Sequence, residues 1–189
     1  MRLPLVGIAH NMSPFEVSKK TFLNRILKRL GEWRKNFGFL NAIAAHQDFI
    51  GFNFYSSYLV DRGFSKVKTN RITDLGWSIY PQGIYHMLRA LKKYRKPIYI
   101  TENGLADAKD EKRAAFIRDH IRWIARAMKE GADVRGYLHW SLTDNFEWSD
   151  GFWPRFGLVE IDYRTLERKI RPSAWEYKKI IEENAIALS

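Results

Sequence analysis

The sequence predicts an α/β domain built on a parallel sheet. Three observations lead there. Four short apolar segments alternate with helical ones along the 189 residues, and alternation of that kind belongs to parallel strands joined by helical crossovers. The composition, 46% hydrophobic and 28% charged, is that of a chain that folds around a core. The chemically rich residues fall at the C-terminal ends of the apolar segments, where sheets of this class carry their ligands.

The elements follow in order. Leu3–Ala9 (LPLVGIA) reads as a buried strand. Lys19–Lys35 reads as a helix, with Phe22, Ile26, Leu30 and Trp33 at helical spacing and Lys and Arg on the other side. A basic amphipathic stretch can lie on a membrane, but here it reads as an outer helix of the α/β domain. Asp48–Tyr55 (DFIGFNFY) is the second strand, and a long loop from Ser56 to Trp77 follows it. The helix Gly83–Tyr94 carries Ile84, Met87, Leu88 and Leu91 on one face. Pro97–Thr101 (PIYIT) is the third strand and ends directly at Glu102-Asn103-Gly104. Lys109–Glu130 is a helix striped by Ile117, Ile121, Ile124 and Met128, with Gly131 as its stop. Val134–Trp140 is the fourth strand, followed by a polar and aromatic loop and a small hairpin around Leu158–Tyr163. The last helix starts at Ser173, where Ser173-Ala174-Trp175-Glu176 fits a capping box after Pro172. Four units are half of what a closed (β/α) barrel needs. An open four-stranded doubly wound sheet is the other arrangement this pattern allows.

Composition removes several function classes. With no cysteine, disulfides and thiolate metal sites are excluded. No apolar run approaches the roughly 18 residues of a membrane span. Met1-Arg2-Leu3-Pro4 does not open a secretory h-region, which leads to the expectation of a cytoplasmic protein. The net charge of +11 raises the question of nucleic acid, but Lys and Arg are dispersed over several helices, as on a solvated or partner-facing surface. The five histidines show no metal-ligand spacing. There is no Gly-rich phosphate loop and no Gly-x-Ser-x-Gly elbow.

What remains sits at the strand ends. Glu102, after an apolar strand, would look across the sheet's mouth, and Tyr55 at the neighbouring strand end could donate a hydrogen bond that keeps this carboxylate ionised and aimed. The segment Trp140–Trp148 (WSLTDNFEW) holds the carboxylate Glu147, the amide Asn145 and two indoles. Aromatic faces beside hydrogen-bonding groups suit sugars, and 15% of the chain is aromatic. The same loop also reads as a buried polar structure held by its own hydrogen bonds, and aromatic residues also fill cores.

These residues carry a resemblance. IYITENG (Ile98–Gly104) resembles the nucleophile signature of glycoside hydrolase family 1. DFIGFNFY (Asp48–Tyr55) is similar to its sixth-strand motif. VRGYLHWSLTDNFEWSDGF (Val134–Phe152) and RFGLVEIDY (Arg155–Tyr163) resemble its eighth strand and sugar-binding loop, in wording most similar to archaeal β-glycosidases. The resemblance implies a (β/α)8 TIM barrel of which residues 1–189 supply strands five to eight as the C-terminal half of a single domain. It implies a retaining double displacement with Glu102 as nucleophile and Tyr55 orienting it. Asn53 would shape the pocket, Trp140 would lie under the sugar ring, Glu147 and Trp148 would bind its hydroxyls, and Phe156 would line the far wall. No metal or organic cofactor is implied.

The departures shape the expectation further. The family's acid/base lies in an Asn-Glu-Pro motif of the fourth strand, which this sequence does not contain. Phe54 stands where Tyr is common, and the stretch between the first two strands is short for the family. The chain is therefore expected to be inactive alone. Its expected partners are a β-glycoside or oligosaccharide and either the missing N-terminal half-barrel or a second copy, with no nucleic acid and no membrane. The alternative function is a non-catalytic β-glycoside-binding or scaffold half.

Overall fold

A computed structural model describes residues 4–186. Four strands, β1 (Gly7–Asn11), β3 (Phe49–Asn53), β6 (Ile98–Gly104) and β7 (Val134–Trp140), form one parallel sheet in the order β1-β3-β6-β7. Between them lie β2 (Phe15–Val17), α1 (Phe22–Glu32), α2 (Gly38–Ile43), β4 (Tyr58–Val60), β5 (Phe64–Lys66), α3 (Gln82–Leu91) and α4 (Arg113–Lys129). A hairpin of β8 (Val159–Ile161) and β9 (Arg168–Ile170) and the helix α5 (Pro172–Glu183) close the chain.

The core lies between one face of this sheet and the helices. Ile50, Phe52, Phe54, Ile98, Ile100 and Val134 from the strands pack with Leu40, Ile84, Met87, Leu88, Leu91 and Ile124. The predicted apolar face of α3 is the face it buries. Ile117 and Ile124 of the α4 stripe are buried too, whereas Met128 is exposed. Gly131 ends α4 with φ of 87°, a conformation that glycine adopts without steric cost. On the other face, Phe49 and Tyr99 meet edge to face at 5.2 Å and stay half-buried.

Four expectations are corrected. The first strand forms at Gly7–Asn11, and Leu3 of the expected span lies outside the described residues. The helix expected over Lys19–Lys35 ends at Glu32, continues as a π turn over Trp33–Phe37 and leads into α2. Its apolar stripe faces outward, with Phe22, Ile26, Leu30 and Trp33 all exposed. The inward face is small and polar instead. A Cβ on Gly31 would sit 2.6 Å from the Phe15 ring, and Asn24 accepts the Arg62 N–H at 2.9 Å. The loop after Tyr55 contains β4 and β5, which join β2 in a small sheet. Finally, Ser173 is not the cap of α5. Arg171 takes that place with Pro172 after it, and the cap comes from a distant loop, where Asp110 accepts the Ser173 N–H at 2.8 Å and its hydroxyl at 2.6 Å. A carboxylate at a helix N-terminus satisfies free N–H groups and meets the positive end of the helix dipole.

Candidate active site

The C-terminal ends of β3 and β6 bring Tyr55 and Glu102 together. The Tyr55 hydroxyl donates to Glu102 Oε2 at 2.7 Å. Burial, then that hydrogen bond, then the charges of Glu102 and Glu147 hold the Tyr55 hydroxyl far above its ordinary pKa, so it remains a donor. Asn53, one pleat back, accepts a hydrogen bond from the Thr101 hydroxyl. Backbone bonds fix the pair, with Phe54 N–H donating to Glu102 O at 2.9 Å.

The aromatic wall starts at Tyr55. Trp77 meets Tyr55 at 6.0 Å between ring centroids, and Phe156 meets Trp77 at 6.3 Å. Phe156 is buried, and its carbonyl accepts the Ser141 N–H at 3.2 Å, which places it beside the end of β7. Trp77 lies in the expected loop and was not singled out by sequence reasoning. Its only local signal is the Asp74-Leu75-Gly76 turn before it, closed by the Gly76 N–H to Thr73 O bond. The Lys66 ammonium stands 5.3 Å above the Trp77 ring.

Trp140 ends β7 half-buried, and its peptide bond to Ser141 is cis. Trp140 pairs with Gly104, where a side chain could not fit because a Cβ would fall 1.8 Å from Trp140 O. The loop that follows carries Glu147, which accepts from Asn145 Nδ2 at 3.2 Å and bonds Gly151 O through its N–H at 2.7 Å. Trp148 stands outside the buried cluster at 81% exposure. The structure thus joins Glu102 to Tyr55 and pairs it with Asn53, links Tyr55 through Trp77 to Phe156, and sets Trp140 at the next strand end, with the Glu147 charge acting on Tyr55 and Trp148 exposed.

Asp144 anchors this loop. It is buried, takes a bidentate pair from Arg171 at 3.0 and 3.1 Å, and accepts from Arg155 at 3.2 Å and from the Gly157 N–H at 2.9 Å. Burial pushes its carboxyl up, but Arg171 and the backbone N–H groups outweigh burial and hold it below the usual carboxylate range. The loop is a buried polar structure at Asp144, with Glu147 half-buried and Trp148 exposed further along it. Among the described residues no group of three or more His, Cys, Asp or Glu is placed to hold a metal ion, and no helix is long and apolar enough to cross a membrane.

Against known proteins, the sequence model described as Glycosyl hydrolase family 1 matches residues 38–186. The Beta-galactosidase of Sulfolobus acidocaldarius is 41% identical over 157 residues, which is 74% of this chain and 32% of that protein. The chloroplastic Galactolipid galactosyltransferase SFR2 of Arabidopsis thaliana is 32% identical over 198 residues, covering 98% of this chain and 30% of its own length. The solved β-glycosidase from Pyrococcus horikoshii superposes with a TM-score of 0.89 at 37% identity, over 96% of this chain and 49% of the other. The chain spans about a third of the length of these curated relatives and about half of that solved chain.

Proposed function

The chain belongs to glycosyl hydrolase family 1, and from that premise we propose that it forms the nucleophile-bearing half of a retaining β-glycosidase. The observation that carries the proposal is the 2.7 Å hydrogen bond from Tyr55 to Glu102 at the C-terminal end of a parallel sheet. A donor at that distance keeps one carboxylate oxygen oriented and leaves the other for attack.

In this reading the Glu102 carboxylate attacks the anomeric carbon of a β-glycoside. The bond to the aglycone oxygen breaks, that oxygen takes a proton from a second carboxyl, and a glycosyl ester on Glu102 remains. Water, deprotonated by the same second carboxyl, then attacks the anomeric carbon, the Glu102 carboxylate leaves, and the sugar is released with retained configuration. Trp140 supports the ring, Glu147 accepts hydrogen bonds from two sugar hydroxyls and Trp148 donates one from its indole, with Asn53 and Phe156 shaping the remaining wall.

The second carboxyl is the one the family carries in Asn-Glu-Pro, so we place it on a complementary half-barrel. Surface chemistry supports that partner. Leu5, Val6 and Ile8 at the β1 edge are exposed, as is the stripe of α1, and Leu138, Trp175 and Ile181 are exposed on the β7 side. Open strand edges flanked by apolar surface favour association.

The deciding experiment is the intact mass after incubation with a 2-deoxy-2-fluoro β-glucoside bearing a dinitrophenyl leaving group, which departs without acid help. One glycosyl adduct on the chain, lost in Glu102→Gln, is the expected result. If the adduct persists in Glu102→Gln, Glu102 is not the nucleophile. If adduct forms only after the first four units of a full-length relative are added in trans, the site is completed by the other half.

A second reading, glycosyl transfer, is supported by the match to the galactosyltransferase relative, which covers 98% of the chain and so takes in β1, β2 and α1, ahead of the stretch that the family model matches. The covalent intermediate is the same, and a sugar hydroxyl replaces water. Product analysis of the assembled enzyme with a galactolipid acceptor separates the two, since transfer yields an oligogalactolipid and hydrolysis yields free sugar.

A further inference from the structure

The strand that carries Glu102 leaves its regular ladder where it matters most. Between β3 and β6 the register jumps after Phe52, so that Phe52 faces Ile100 while Asn53 faces Glu102. Between β6 and β7 it jumps again from Ile100 to Asn103. Thr101 and Glu102 are thus held on neither side by a continuous backbone ladder. Such irregularities re-aim side chains near sites, but something else must then fix the aim.

Asn103 is placed to do so. It is fully buried, its Nδ2 donates to Phe54 O at 2.8 Å, and its Oδ1 accepts from the Tyr137 hydroxyl at 3.0 Å. Phe54 N–H in turn donates to Glu102 O at 2.9 Å. Both backbone groups of Phe54 are therefore tied to consecutive residues of β6. The carbonyl that Asn103 holds belongs to the peptide bond leading into Tyr55, the donor to Glu102. Tyr177 of α5 donates to the Tyr137 backbone carbonyl at 2.9 Å, a contact that does not involve the hydroxyl meeting Asn103. A buried amide with both ends satisfied resists rotation, because turning it would strand a donor and an acceptor together.

We propose that Asn103 and Tyr137 are positioning residues that set the Tyr55–Glu102 geometry from the helix side of the sheet. Neither faces the substrate. Tyr137 locks the Asn103 amide, the amide locks the Phe54 carbonyl, and the carbonyl fixes where the Tyr55 side chain departs. The significance for catalysis rests on the reading of Glu102 as nucleophile, whereas the geometry can be tested without turnover.

The test is the side-chain carboxyl carbon signal of Glu102 in the full chain, read at fixed pH by carbon NMR of glutamate-labelled protein and assigned by Glu102→Gln. Tyr55→Phe removes the hydrogen bond to the carboxylate and displaces the signal. Tyr137→Phe keeps the ring and should reproduce at least half of that displacement, as should Asn103→Leu. Tyr177→Phe removes a hydroxyl from the same buried region without touching the amide and should leave the signal where it is. The proposal is overturned if Tyr137→Phe folds with an undisplaced signal, if Tyr177→Phe displaces it equally, or if Tyr55→Phe itself has no effect. A missing glycosyl adduct would count against the nucleophile and leave the NMR result standing.

Discussion

At the residue scale, single atoms decide whether the site exists. Asp144 neutralises Arg171 in a buried setting, and removing one partner of such a pair costs about 3–5 kcal/mol. Asp144→Ala should therefore lower stability by that amount in urea unfolding, and a loss under about 1 kcal/mol would show that Arg171 finds another partner. Gly104 is a second such point. With Trp140 O at 1.8 Å from any Cβ there, Gly104→Ala forces β6 away from β7 and should cost at least the 1–3 kcal/mol or so typical of overpacking; an unchanged melting temperature would contradict the close approach. Much of this scale was legible in the sequence. Glu102 and Tyr55 stand at apolar strand ends, where position alone marks them. Trp77 and Asn103 were not legible, because their roles come from contacts across dozens of residues that no local period records. Asp144 lay in view inside WSLTDNFEW, but nothing local distinguishes a carboxylate that will be buried from one that will face solvent.

At the scale of elements, periodicity gave strands and helices their places and misjudged which way one of them faces. The α3 face could be assigned because Ile84, Met87, Leu88 and Leu91 meet a sheet within this chain. The α1 stripe obeys the same period yet points outward, since Gly31 and Asn24 make the close inward contacts. A pattern of period 3.6 records that a face is apolar, and only tertiary structure says what covers it. The small strands β4 and β5 escaped for a related reason: three residues are too few to show alternation. Changing Ile26 and Leu30 together to Glu should leave the stability of the isolated chain within about 0.5 kcal/mol per site, as for exposed positions. The same change should abolish complementation by a half-barrel carrying the second carboxyl, measured as restored hydrolysis of a nitrophenyl β-glucoside. Retained complementation would mean that the α1 stripe is not part of the junction.

At the scale of the whole molecule, the four-stranded parallel sheet is half of a (β/α)8 barrel, and its stability has an acid limit built into the helix layer. Burial depresses the pKa of His120 to about 4 and of His139 to about 3. Below the unfolded value near 6.5 the unfolded chain takes up protons that the folded one refuses, so stability is full above that pH and falls as pH drops towards 4. Each histidine contributes a slope of about 1.4 kcal/mol per pH unit within that window. His139→Phe should flatten the dependence of the unfolding midpoint between pH 6.5 and 4, and an identical slope would assign the acid limit elsewhere. The lock between Asp144 and Arg171 has a consequence in time as well. The two residues are 27 positions apart, and Ser173, which seats α5 on Asp110, is 63 positions beyond its partner. During synthesis the four-stranded sheet, with Tyr55 and Glu102, can form first, while the loop bearing Glu147 has no anchor until Arg171 emerges. That loop is thus fastened later than the strands it follows, and the order of synthesis separates the two in time.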